Sequence, residues 1–113
     1  MNANTAVPAA SMPLEHEAVA ADQTVAGEPT TAARTLTEIG GVEIGVWEMT
    51  PGTMSDVEAE EVFVVLSGSA TVTFADDSPG LHLRTGDVVR LAAGARTVWT
   101  VTETLRKVYV TGV

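Results

Sequence analysis

The sequence predicts an all-β domain, a sandwich or closed barrel of seven or eight short strands. Three observations carry this. From Ala32 onward, β-rich runs of four to eight residues alternate with turn residues at regular spacing. Several runs show period-two alternation, as in Val42, Ile44 and Val46 against Glu43 and Gly45. No stretch after Ala32 carries an amphipathic helical pattern. At this size a jelly roll is one of the few all-β arrangements that protects its strand edges.

The elements follow in order. Met1 to about Thr31 is rich in Ala, Thr, Pro and Glu, with no Lys or Arg and no apolar periodicity. Such a segment buries too little apolar surface to offset its ordering entropy. Residues 1–31 are therefore expected to form a flexible acidic arm, disordered over Met1–Pro13, with residues 32–113 as the barrel domain. Arg34–Ile39 reads as a strand ended by Gly40-Gly41, and a second runs from Val42 to Met49 and stops at Thr50-Pro51-Gly52. Ser55–Glu60 reads as an acidic loop. Glu61–Ser67 is apolar on both faces and so central. Gly68 is expected to turn the chain tightly into Ala70–Phe74. Asp76-Asp77-Ser78-Pro79-Gly80 has hairpin chemistry. Leu81–Arg84, Val88–Leu91, Thr97–Thr102 and Leu105–Val110 complete the set, punctuated by Gly86-Asp87 and Ala93-Gly94.

Composition narrows the function. Six basic residues against fifteen acidic ones give a net charge of -9. That opposes binding to nucleic acid, which requires neutralised phosphates, and to anionic membrane surfaces. With no cysteine, neither a disulfide framework nor a thiolate metal site can form. The N-terminus has neither a basic nor an apolar leader segment, so a cytoplasmic location is expected.

A series of motifs then points to a family. Gly45-Val-Trp-Glu-Met-Thr-Pro-Gly52, Glu61 with Gly68 seven positions on, Gly86-Asp87, Ala93-Gly94, Trp99 and Arg106-Lys107-Val-Tyr109 together resemble a small single-domain cupin. The nearest subgroup is that of the ureidoglycine aminohydrolase and ethanolamine-utilisation cupins, long a domain of unknown function. The resemblance spans roughly Asp22 to Val110. It implies a double-stranded β-helix, the cupin jelly roll, and a homodimer, with Val62, Val64 and Leu66 opposite the pocket face. The family's metal motif is incomplete here. Its first two histidines fall on Ser55 and Val57, or on Met54 and Asp56, and its last on Thr97. Imidazole is what suits most divalent transition metals, so no metal and no cofactor is expected. An oxygen-rich site from Asp56, Glu58 and Glu61 is the remaining way to hold an ion. His16 and His82 match no ligand position.

Strand alternation supplies the candidate pocket. If Glu61 points inward, so do Phe63 and Val65. If Thr97 does, so do Trp99 and Val101. These five apolar or polar neighbours, Phe63, Val65, Thr97, Trp99 and Val101, are the expected ligand-binding wall. An inward Val42, Ile44 and Val46 would bring Glu48 over the cavity with Glu61. The opposite parity would put Trp47 and Met49 inside. Lys107 and Tyr109 share a face of the last strand. Three functions follow: a metal-free cupin binding a small molecule; a lyase, isomerase or cyclase using Glu61 with Glu48 or Tyr109 as acid and base; or a cupin with an oxygen-ligated metal. The plainer alternative for each of these polar groups is a solvated or backbone-bonded role.

Overall fold

A computed structural model describes residues 1–112. It consists of β-strands and turns, with no helix among the described residues. The strands are β1 (Glu17–Ala18), β2 (Thr24–Ala26), β3 (Thr30–Ile39), β4 (Val42–Met49), β5 (Gly52–Val57), β6 (Glu61–Phe74), β7 (Leu81–Leu83), β8 (Val88–Leu91) and β9 (Arg96–Gly112). All pairings are antiparallel.

Two long strands organise the molecule. β6 and β9 pair along most of their length. The far edge of β9 takes β4 with residues 105–112 and β5 with residues 96–101. The far edge of β6 takes β8 near its start and β7 further along. One sheet therefore curls through two halves, as a jelly-roll half-barrel, with the core between them.

The bend lies at Gly68. The β6–β9 register shifts around Ser67 and Ser69, and Gly68 has φ +90°. A Cβ there would collide with the Thr104 carbonyl. Gly68 thus lets two backbones cross in close contact. It does not end a strand, as the sequence suggested. For the same reason the expected strands Thr97–Thr102 and Leu105–Val110 are one continuous β9. The supposed acidic loop is also partly strand. Gly52–Val57 forms β5, with Met54 opposite Trp99 and Asp56 opposite Thr97. Its polar sequence carries little strand propensity, and pairing with β9 decides its conformation. The β3–β4 connection agrees with expectation: Gly40 and Gly41 have φ of +57° and +81°, a two-residue turn with both central residues left-handed.

The core follows alternation along each half of the long strands. On β9, Trp99, Val101 and Leu105 are buried, and on β6 Phe63, Val65, Ala70 and Val72 meet them. The parity of β6 changes from odd to even across the Gly68 bend. On β4, Met49 is buried in this core with Trp47 packed against it.

Residues 1–31 meet the barrel at several points. β1 pairs with β3, and β2 with β5. Met12 is buried, and Arg106 Nη1 donates to the carbonyls of Ala9 and Met12 at 3.0 and 2.7 Å.

Candidate functional site: a caged lysine at the barrel mouth

The site is built where β4, β5, β6 and β9 converge. Odd-numbered β9 residues face inward, so Lys107 enters the barrel between Leu105 and Tyr109. Its neighbours in register are Trp47 of β4 and Val65 of β6. The Lys107 side chain is only 5% exposed. Its Nζ donates to Glu61 Oε1 at 2.6 Å. The same ammonium stands 4.2 Å from the Phe63 ring centroid, 4.6 Å from Trp47 and 5.0 Å from Trp99. Trp99 in turn packs on both other rings, with centroids 5.5 and 5.8 Å away. Cation–π attraction strengthens when the cation is desolvated, and a buried ammonium requires a charged partner. Three rings and one carboxylate meet both conditions.

Glu58 fixes the cage from below. Its carboxylate Oε2 accepts from Thr97 Oγ1 at 2.6 Å and from Trp99 Nε1 at 2.9 Å. Its own backbone is tied to the β8–β9 turn by Glu58 N to Ala95 O and Gly94 N to Glu58 O. This locks the indole plane and the lip of the barrel together. Glu60, facing the other way, accepts from Ala93 N at 2.9 Å and pairs with Arg90.

A cavity of about 180 Å³ opens beside the cage, bordered by Trp47, Met54, Asp56, Glu58, Glu61, Trp99, Lys107, Tyr109 and smaller residues. Burial, then the Glu58 charge, holds the Asp56 carboxyl above its ordinary value. Tyr109 OH donates to Glu43 Oε2 at 2.8 Å. Burial first, and the Glu43 bond next, raises the phenol above its ordinary value, so it stays protonated at neutral pH. Gly45 makes room for the Tyr109 ring, because a Cβ there would overlap it.

The predicted residues divide accordingly. Glu61, Phe63, Trp99 and Tyr109 are brought together at the site. Thr97 is buried and holds Glu58 without bordering this cavity. Val65 and Val101 are fully enclosed core residues behind the cage. Glu48 is on the opposite face of β4 and does not overhang the cavity, which corrects its candidacy as an acid–base partner of Glu61 under the first of the two parities. Its Oε2 accepts from Arg106 Nε at 3.2 Å and Nη2 at 2.5 Å, with His16 Nε2 3.7 Å away. The parity that places Trp47 and Met49 inside is the one adopted. His82 is exposed on β7.

Lys107 is the site residue missed by the sequence reading, which weighed Asp56 and Glu58 only as oxygen ligands of an ion. A signal for Lys107 was present. It lies between Leu105 and Tyr109 on the apolar side of a strand whose other side carries Arg106. An isolated lysine on the inward parity of a barrel strand needs a buried partner, and Glu61 begins the strand beside it.

The cage does not fit a metal. No group of three or more His, Cys, Asp or Glu among the described residues is arranged to hold an ion. Glu61 is engaged by Lys107 and Glu58 by Thr97 and Trp99, so the alternative of an oxygen-rich site from Asp56, Glu58 and Glu61 does not assemble among the described residues.

A curled antiparallel half-barrel with its polar site at the mouth defines a cupin. The model of the EutQ-like cupin domain matches residues 36–109, and the chain belongs to that family. Among solved structures, a protein of unknown function of the DUF861 family from Pseudomonas syringae pv. tomato is 26% identical with a TM-score of 0.75. That match covers 89% of this chain and 45% of the other. The EutQ protein of Clostridium difficile is 18% identical with a TM-score of 0.64, covering 74% and 63%. A DUF861 family protein from Thermotoga maritima is 29% identical with a TM-score of 0.53, covering 57% and 73%. The chain thus spans less than two thirds of the length of the first two. No curated protein matches it.

Proposed function

We propose that the mouth cavity binds a small polar molecule without a metal, and that this is the function of the domain. The observation that carries the reading is the Lys107–Glu61 pair, held inside three aromatic rings and bordering the cavity. Burying such a pair costs desolvation that an apolar pair would avoid. A binding role for the ammonium accounts for keeping it. Aromatic walls with a few convergent polar groups are what ligand pockets generally offer.

The test is a thermal-shift screen of small polar metabolites on the protein and on the Lys107→Met/Glu61→Gln double variant. A compound that raises the Tm of the protein and not of the variant supports the reading. Equal shifts in both would place the binding elsewhere and overturn it.

A second reading is favoured by Asp56, a half-buried carboxyl with a raised pKa beside the Lys107–Glu61 pair. Under it the domain is a metal-independent lyase, isomerase or cyclase, with Glu61 and Tyr109 as the acid–base groups and Asp56 beside them. Glu61→Gln separates the two readings. Under the enzyme reading it abolishes turnover and leaves ligand affinity largely intact, whereas turnover that persists would make Glu61 structural and overturn that reading.

A further inference from the structure

Lys107 presents three N–H donors. One goes to Glu61 Oε1, the single hydrogen-bond acceptor that the described residues offer it. The others meet only ring faces, at 4.2 to 5.0 Å from the centroids. A ring face is a weaker acceptor than an oxygen, so a ligand oxygen entering the cavity gains a charge-assisted bond.

The charges around the cavity select among ligands. One ammonium faces the carboxyls of Asp56, Glu58 and Glu61. An anionic ligand would be repelled by those groups in a poorly solvated space. A second ammonium, though drawn by the carboxyls, would meet the like charge of Lys107 in the same small space and find the three rings already occupied by it. Asp56 has one oxygen engaged, accepting from Val57 N at 2.8 Å, and its other oxygen is free to accept from a ligand donor. The volume of about 180 Å³ matches a molecule displacing about six waters.

Resting on the binding role above, we infer that Lys107 is the fixed cation of this site. Its ligand is a small neutral carbonyl compound that carries an adjacent N–H or O–H. The carbonyl oxygen accepts from Lys107, and the adjacent donor meets Asp56. A simple amide is the smallest ligand with both groups.

Acetamide, acetate and methylammonium serve as probes of matched size. The chain has two tryptophans, and both line the cage, so their indole N–H signals in NMR titrations report on it directly. Acetamide is expected to shift both signals saturably, with a Kd about tenfold or more below those of the two ions, a difference of about 1.4 kcal/mol. In Lys107→Met/Glu61→Gln, which keeps the shape and removes both charges, acetamide should bind at least about tenfold more weakly. The single Lys107→Met variant leaves Glu61 buried without a partner, and the double variant avoids that risk to folding. Tighter binding of either ion than of acetamide overturns the neutral-carbonyl inference and leaves the pocket reading standing. Equal acetamide binding by the double variant removes Lys107 as the anchor. If neither these probes nor any screened compound shifts the indole signals, both the inference and the binding function fail.

Discussion

At the scale of the residue, the ion pair at the mouth sets the energetics. Lys107 and Glu61 have side chains only 5% and 12% exposed, so removing one partner leaves the other charged in a poorly solvated place. Lys107→Met alone is expected to cost about 3–5 kcal/mol of unfolding free energy. Adding Glu61→Gln should restore most of it, since the surviving amide is neutral. Urea denaturation of both single variants and the double variant gives the coupling. Additive losses would mean that the pair is not a unit. Asp56 makes a pH prediction. Its carboxyl lies above the ordinary 3.8 in the fold because burial and Glu58 oppose ionisation. The protonated form therefore favours folding: the contribution of Asp56 to stability is fully present below 3.8 and is lost as pH rises through the folded value. Asp56→Asn keeps an acceptor for Val57 N and removes the charge. It should raise Tm at neutral pH, with the gain vanishing in acid; a variant no more stable than the parent at neutral pH would show that the carboxylate is well solvated. Tyr109 is the only tyrosine in the chain, so its titration can be followed without interference. Burial and Glu43 favour its neutral form, and phenolate absorbance should appear with a midpoint above 10.0. Stability should fall as pH climbs from that ordinary value through the raised one. A midpoint at or below 10.0 would argue against the Tyr109–Glu43 bond.

At the scale of the element, much of the fold was legible because period two is a strong signal when one face is buried. The runs Val42–Met49 and Val88–Leu91 appear as strands at the predicted bounds. What was not legible came from contacts distant in sequence. Glycine usually marks a strand end, and nothing local distinguishes Gly68 as a crossing point. The distinction lies with Thr104, which is 36 residues away by number and meets it only in the fold. Gly52–Val57 was hidden because a polar run becomes a strand only when β9 supplies its partner. The face of β4 was ambiguous because both parities carry apolar residues. Val46 and Met49 are both fully buried, but only Met49 belongs to the core cluster, while on the outer side Arg106 is bonded to the carbonyls of Ala9 and Met12. The site was half legible for the same reasons. Glu61, Phe63, Trp99 and Tyr109 could be read from motif and alternation, whereas the Lys107 cage required three strands to be aligned at once. The crossing point yields its own prediction. Gly68→Ala forces a side chain into a φ of +90° and into the Thr104 carbonyl, so a loss of roughly 3 kcal/mol or more is expected. Chemical denaturation measures it. A loss under about 1 kcal/mol, the usual effect of an ordinary substitution, would mean that β6 and β9 can separate at the bend without penalty.

At the scale of the whole molecule, the barrel has two outer regions with different cover. Around Arg106 and Glu48 the sheet is closed by the N-terminal segment, through the carbonyls of Ala9 and Met12. Further along, the outward residues Val62, Val64, Val88 and Val110 are exposed at 38, 37, 70 and 36%. Val62 pairs in register with Val110, and Val64 with Val88, so the four form one patch. It continues to β8, whose far edge has no strand partner among the described residues. A two-fold axis brings one surface patch against the same patch of a second copy, and we propose that a second copy of the chain covers these valines and the open edge of β8. The net charge of -9 works against this, because two like-charged copies repel over about a Debye length. Self-association should therefore strengthen as salt screens the charge, the opposite of what an ion-paired interface would do. Sedimentation equilibrium at low and high salt reads this directly. Val64→Glu places a carboxylate in the middle of the patch, where a partner would desolvate it. On the free chain the same position is solvated, so the fold and the Trp99 environment should survive while the dimer dissociates. A monomer at every salt concentration, or a dimer indifferent to Val64→Glu, would remove this face from consideration.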